Sequence, residues 1–130
     1  MLIRIFDKWF KPKTAYIQVF RNRFSIYCSD HQKLFNVDGK FSHPRMLLGD
    51  FLQAETILKQ QMEQQAIFSD TGNYRVIIHP KELLDGGLSP IEQRAFIELF
   101  SSLGFRKVCL WSGHDLSSEQ IDNFNWTAHN

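Results

Sequence analysis

The chain has 130 residues, of which 43% are hydrophobic and 14% aromatic, and a formal net charge of +1. That length fits one domain with a real core, and the composition excludes a disordered chain. The near-neutral balance gives no global argument for nucleic acid, and no apolar run approaches the roughly 20 residues of a membrane span.

The first 13 residues, MLIRIFDKWFKPK, form an amphipathic basic segment. Leu2, Ile3, Ile5, Phe6, Trp9 and Phe10 fall on one helical face, Arg4, Lys8, Lys11 and Lys13 surround it, and Pro12 ends the pattern. Two readings stand open. The segment lies on a membrane with its aromatics at the acyl boundary and its cations on anionic headgroups. Alternatively, the stripe packs on its own domain or on a neighbouring chain. Arg4, Asp7 and Lys8 interrupt the apolar positions, so the segment does not read as a signal peptide. The expectation is a cytoplasmic protein, on the membrane reading of this segment one at the inner face of the cell membrane.

Residues 14–20 (TAYIQVF) and 24–29 (FSIYCS) are strand-like and flank Arg21-Asn22-Arg23, a tight-turn sequence. Residues 33–37 (KLFNV) make a third strand, closed by the Asp38-Gly39 turn. Three short strands with short links predict an antiparallel meander. The period then changes. Leu47, Leu48, Phe51, Leu52, Ile57, Leu58 and Met62 recur at helical spacing and predict a helix over 45–65. IFSDTGN is a loop, and YRVIIH over 74–79 is a compact strand that Pro80 stops. KELLDGG connects it to a second helix over 90–103, capped by Ser89, opened by Pro90 and closed by Gly104. Residues 107–111 form a last strand. A short helix in LSSEQIDNF, capped by Ser117 or Asp115, follows. Residues 14–125 are thus one domain, and 126–130 are expected as a loose tail.

The order β-β-β-α-β-α-β predicts an α/β fold: a mixed five-stranded sheet with helices packed on it, its crossovers right-handed. Cys28 and Cys109, both in apolar strands, read as buried free thiols in a reducing compartment.

That order matches one lobe of the ribonuclease H-like and actin-like folds. Three stretches carry a closer likeness. MLLGDFLQAETILKQQM resembles a G-V-I-A-D-F run followed by an amphipathic helix. YRVIIHP resembles an R-V-x-x-x-x-P strand. SPIEQRAFIELFSSLGFRKVCLW resembles a V-E-R-R-A-I-x-E-S-A-x-x-x-G-A-x-x-V-x-L-I unit, with Arg94-Ala95, Glu98, Gly104 and Val108 in register. Over roughly residues 1–120, with gaps, the chain is similar to the N-terminal subdomain of the MreB family, the bacterial actin homologues of rod-shaped growth. Some members also carry a basic, apolar N-terminus that binds membrane.

The departures matter for function. The family's first phosphate loop has the form D-L-G-T after the first strand. Here the place reads Gln18-Val19-Phe20-Arg21: the metal-holding Asp becomes a neutral Gln, and Phe20 stands where Gly admits a phosphate. Arg45-Met46 replaces the family's Asp-Gly pair. The second phosphate loop, the adenosine pocket and the other lobe would lie beyond Asn130. Glu92 matches the family's hydrolysis-associated Glu but, without phosphates, reads as a first-turn residue favoured by the helix dipole. The resemblance, with these departures, therefore implies no cofactor, neither ATP binding nor catalysis, and a surviving role in protein–protein contact. The expected partners are cell-shape or envelope-assembly proteins, a second copy of the chain, or the membrane through residues 2–10.

The remaining chemistry is sparse. His31, His43, His79, His114 and His129 form no H-x-x-x-H pair. His79 and His114 each follow a strand, so with Asp50 and Asp115 they are candidates to converge at the carboxyl edge of the sheet. The competing reading is ordinary loop polarity at strand ends. Ser112-Gly113-His114-Asp115 lacks a G-x-S-x-G elbow. Arg21 and Arg23 sit at a predicted hairpin tip, without a basic-aromatic surface for nucleic acid. Two rival functions follow: a small enzyme or ligand-binding domain using the His79, His114 and Asp50 edge, and an anti-anti-sigma-like regulatory domain, whose strand order would differ.

Overall fold

The computed structural model describes residues 13–65, 70–82 and 86–127; the predicted membrane or partner contact of residues 2–10 lies outside them. The elements are β1 (Lys13–Phe20), β2 (Arg23–Cys28), β3 (Lys33–Asp38), α1 (Phe51–Gln64), β4 (Tyr74–Pro80), α2 (Pro90–Ser102), β5 (Lys107–Leu110) and α3 (Ser118–Asp122). The strands form one five-stranded sheet in the order β3-β2-β1-β4-β5. β1–β2 and β2–β3 pair antiparallel, β1–β4 and β4–β5 parallel. The mixed five-stranded sheet and its element order are as the sequence predicts.

Alternation along the strands sorts the side chains to two faces. On the first face, Ala15, Ile17 and Val19 of β1, Phe24, Ile26 and Cys28 of β2, and Val76 and Ile78 of β4 are buried. Against them pack Ala54, Leu58 and Met62 of α1 and Phe96, Leu99 and Phe100 of α2. Both helices lie on this face, as they do when successive crossovers of one hand move in one direction across a sheet. Phenylalanines cluster in this core: Phe24 stacks on Phe41 at 4.3 Å and meets Phe100 edge-on at 6.0 Å. Each such ring contributes roughly 1.5–3 kcal/mol by burial. Cys28 and Cys109 are buried free thiols. Burial pushes Cys28 up to about 12, which keeps it protonated and inert.

Several local expectations shift. The first helix begins at Phe51, not Arg45, because Asp50 is its cap and accepts the Gln53 N–H at 3.0 Å. Residues 43–46 make a small turn instead, closed by reciprocal His43–Met46 backbone bonds. Pro80 does not stop β4 but is its last paired residue, opposite Val19. Trp126, placed by the sequence in a loose tail, is buried against the sheet with Tyr16, Ile77, Cys109 and Ile121. Its indole offers more apolar area than a tail leaves in water. Ser117 caps α3 in a capping box with Gln120. Among the described residues, no helix is long and apolar enough to cross a membrane.

Gly104 closes α2 at φ 94, a left-handed position where a Cβ would also meet Thr71 Oγ1 at 2.6 Å. Glu92 is buried, and its Oε2 accepts the Leu47 N–H at 3.1 Å, so it ties the loop before α1 to the first turn of α2. Glu92→Ala leaves that buried donor unmatched and is expected to lower stability by about 1–3 kcal/mol in urea denaturation. Glu92→Gln keeps an acceptor oxygen and is expected to lose much less. Equal losses in the two variants would show that the bond is not what holds the loop.

Candidate functional site

The parallel strands β1, β4 and β5 bring their carboxyl ends to one edge. The register sets Gln18 opposite His79, and Tyr16 opposite Ile77, on the second face. The segment after β5 then folds back across this edge. His79 is buried, with Nε2 at 3.1 Å from the Gly113 carbonyl and Nδ1 at 2.6 Å from Tyr16 Oη. A carbonyl only accepts, so Nε2 carries the proton. The neutral ring then accepts at Nδ1 from the Tyr16 hydroxyl. That hydroxyl oxygen in turn accepts from Leu116 N–H and Gln18 Nε2, each at 3.3 Å. Donors and acceptors match throughout only while His79 is neutral. Burial pushes its pKa down, with Lys81 acting the same way and Asp115, 3.9 Å from Nδ1, opposing. Burial likewise pushes the Tyr16 phenol up.

Asp115 is exposed. It accepts from Lys81 Nζ and, at 3.1 Å, from Gln18 Nε2. The Lys81 ammonium holds its carboxyl below the usual carboxylate range. The cluster Tyr16, Gln18, His79, Lys81 and Asp115 therefore clamps residues 113–116 to the sheet. A general acid or base must reach its substrate's proton, and both nitrogens of His79 are engaged by the chain itself.

The predicted convergence narrows to His79 and Asp115. His114 faces Trp111 edge-on at 5.7 Å, and its Nε2 lies 3.3 Å from Gln120 Nε2. Asp50 is spent as the α1 cap. Residue spacing predicted neither Tyr16 nor Lys81. Tyr16 stands two residues from Gln18 in one strand, so the shared face was there to be read; Lys81 sits in a link whose course the sequence did not set.

The β1–β2 hairpin tip is engaged by the chain's own groups. Arg21 N–H donates to Glu82 Oε2 at 2.5 Å, and Asn22 N–H, at φ 59, donates to Ser42 Oγ at 3.1 Å. The Arg21 guanidinium donates to the carbonyls of His43 at 2.6 Å and Pro44 at 3.1 Å. A carboxylate thus already sits on a backbone N–H of this turn. Among the described residues, no group of three or more His, Cys, Asp or Glu side chains is arranged to hold a metal ion.

The second face is covered unevenly. α3 and the segment to Trp126 pack over β1, β4 and β5. Over β2 and β3 lies a groove of about 470 Å³ lined by Tyr16, Tyr27, Leu34, Leu116 and Ile121. It adjoins, at Leu34, a second one of about 510 Å³ lined by Arg21, Arg23, Asn36 and Asp38. Leu34 is 64% exposed.

No family model matches the chain. It is similar to Uncharacterized protein YjaA of Escherichia coli (strain K12), at 26% identity over 114 residues, which span 83% of this chain and 90% of that protein.

The His79 network sets a pH dependence. An unfolded histidine titrates near 6.5, and the folded one titrates lower. Above about 6.5 both states are neutral and the network contributes fully. As pH falls through that value the unfolded chain takes the proton first, so stability declines toward the folded pKa. Urea midpoints between pH 7.5 and 5 are expected to fall in the wild type and to change less in His79→Asn. Identical slopes in the two proteins would remove His79 from the account.

Proposed function

We propose that the chain is a non-catalytic, MreB-like (actin-like) domain of ribonuclease H-like type that acts as a protein–protein interaction module. Its place is cytoplasmic, at cell-shape or envelope assembly, and residues 2–10 give it peripheral contact with the inner membrane face or a partner. A second copy of the chain is a further partner of the same kind. The observation that carries the reading is the hairpin tip. Where a phosphate loop leaves backbone N–H groups free, this turn gives them to Glu82 and Ser42. The strand order supports it: an antiparallel meander first, then parallel strands added on the other side of β1, with both long helices on one face. The anti-anti-sigma-like alternative called for a different order. The enzyme alternative called for a convergent pocket with an accessible His79, whose nitrogens are instead taken by Tyr16 and Gly113.

The half-covered second face supplies a surface. Apolar Leu34 and Tyr27 border polar Asn36 and Arg23 there, the mixture of an apolar centre and a polar rim that protein interfaces use.

Calorimetric titration with ATP and magnesium is expected to give no binding heat. Tagged protein is expected to retain an envelope or cytoskeletal protein from native lysate, and Leu34→Asp is expected to lose it. Leu34 is exposed, so that substitution should leave stability within about 0.5 kcal/mol. Stoichiometric ATP binding would overturn the reading and make residues 18–23 an altered phosphate loop.

A further inference from the structure

The opposite end of the second face collects positive charge. Arg75 is the second residue of β4, Lys107 opens β5, and the register sets them side by side. Arg106 precedes Lys107, and its N–H donates to the Tyr74 carbonyl at 2.9 Å. The guanidinium of Arg75 lies over the Trp126 ring at 4.5 Å, and Lys107 Nζ stands 6.0 Å from the same ring. The ammonium has one contact with an acceptor, the Trp126 carbonyl at 3.5 Å. Three other cations are paired with carboxylates: Arg23 with Asp38, Lys81 with Asp115 and Lys13 with Asp30. Among the described residues, none of Arg75, Arg106 and Lys107 has a carboxylate within 4.0 Å. Arg75 Nε is buried without a hydrogen-bond acceptor, a donor left unmatched apart from the stacking on Trp126.

We propose that Arg75, Arg106 and Lys107, backed by the indole of Trp126, form a binding site for a phosphate group. Three cations from adjacent positions repel one another, and a single carboxylate neutralises only one of them. A phosphate brings up to two charges and acceptor oxygens on several sides, which suits two guanidinium forks and an ammonium together. The stacking on Trp126 fixes the Arg75 plane before a ligand arrives, so less side-chain freedom is lost on binding. Arg106 is exposed and Lys107 half-buried, so their charged ends reach solvent.

The probe is inorganic phosphate, titrated at fixed ionic strength against chloride while thermal unfolding is followed. The midpoint is expected to rise and saturate with phosphate, as it does when a ligand binds only the folded state. An Arg106→Gln/Lys107→Gln double variant is expected to weaken phosphate binding about tenfold or more, since two charge-assisted bonds are lost. Lys59→Gln/Arg94→Gln makes the same charge change at exposed positions of α1 and α2 and is expected to keep the response. Arg75→Met retains an unbranched apolar stem for Trp126 and is expected to behave like the first double variant. A free phosphate and an anionic lipid headgroup offer the same chemistry. Phosphatidylcholine vesicles with and without phosphatidate separate them: capture by phosphatidate vesicles that the double variant loses assigns a headgroup, and a midpoint shift without capture assigns a soluble phosphate. The proposal is overturned by the absence of both responses, or by equal responses in wild type and the Arg106→Gln/Lys107→Gln variant.

Discussion

The parallel pairing of β1 with β4 is the constraint on which the rest depends. The meander β1-β2-β3 and the crossover half β4-β5 meet along one seam, seven residue pairs from Lys13–Tyr74 to Val19–Pro80. Parallel pairing there obliges the chain to leave β3, pass over the sheet and return, and α1 is that passage. Burial follows from the seam: Ala15, Ile17, Val76 and Ile78 sit where both halves and both helices close over them. A one-residue slip would turn this set to the other face and bring Tyr16, Gln18 and His79 inward among Phe24, Leu58 and Phe100. The polar residues of β1 and β4 are therefore as much part of the register as the apolar ones.

The two ends of that seam treat charge in opposite ways. At the carboxyl end these polar groups have partners within the chain: His79 with Tyr16 and Gly113, Asp115 with Lys81 and Gln18, Arg21 with His43, Pro44 and Glu82. Such matched buried networks fix one arrangement of their surroundings, because any other leaves a donor or acceptor dry. Here the surroundings are residues 113–116, which carry α3 and Trp126 back over the sheet. At the amino end, Arg75, Arg106 and Lys107 are held near one another without an acid. The same chain segment bridges both ends, since its start is clamped by His79 and its far end supplies the Trp126 ring.

Most of the fold was legible because it rests on periodicity. Strands with alternating apolar residues and helices with a 3.6-residue stripe fell within a few residues of their observed bounds, and the meander followed from short links alone. The misses have physical causes. Leu47 and Leu48 fit a helical stripe, yet the helix waits for Asp50, whose cap bond depends on how the preceding loop packs. Trp126 looked terminal, but an indole that finds an apolar face and a guanidinium stacks there whatever its position in the chain. At the site, strand ends pointed to His79 and Asp115 because a parallel sheet gathers its carboxyl ends at one edge. His114 is drawn off by Trp111, and Tyr16 gave no signal of its own because its hydroxyl's partners His79 and Leu116 are 63 and 100 residues away.

On the proposed reading, these two ends also explain how a domain can give up a nucleotide and keep its shape. A phosphate loop holds backbone N–H groups free for a ligand, and a folded chain that loses the ligand must find other acceptors for them. Glu82 does this for Arg21 and Ser42 does it for Asn22, so the hairpin tip closes without any anion from solution. The core beneath needs no ligand either, because Phe24, Phe41 and Phe100 fill it by themselves. What stays without a carboxylate or an apolar cover lies on the second face instead: Leu34 over β3, and Arg75 and Lys107 beside Trp126. Such surface is where a partner gains most, since binding there displaces few bonds the chain already makes. The proposed interaction surface and the proposed phosphate site thus share one physical origin, a sheet finished on one face and left half open on the other.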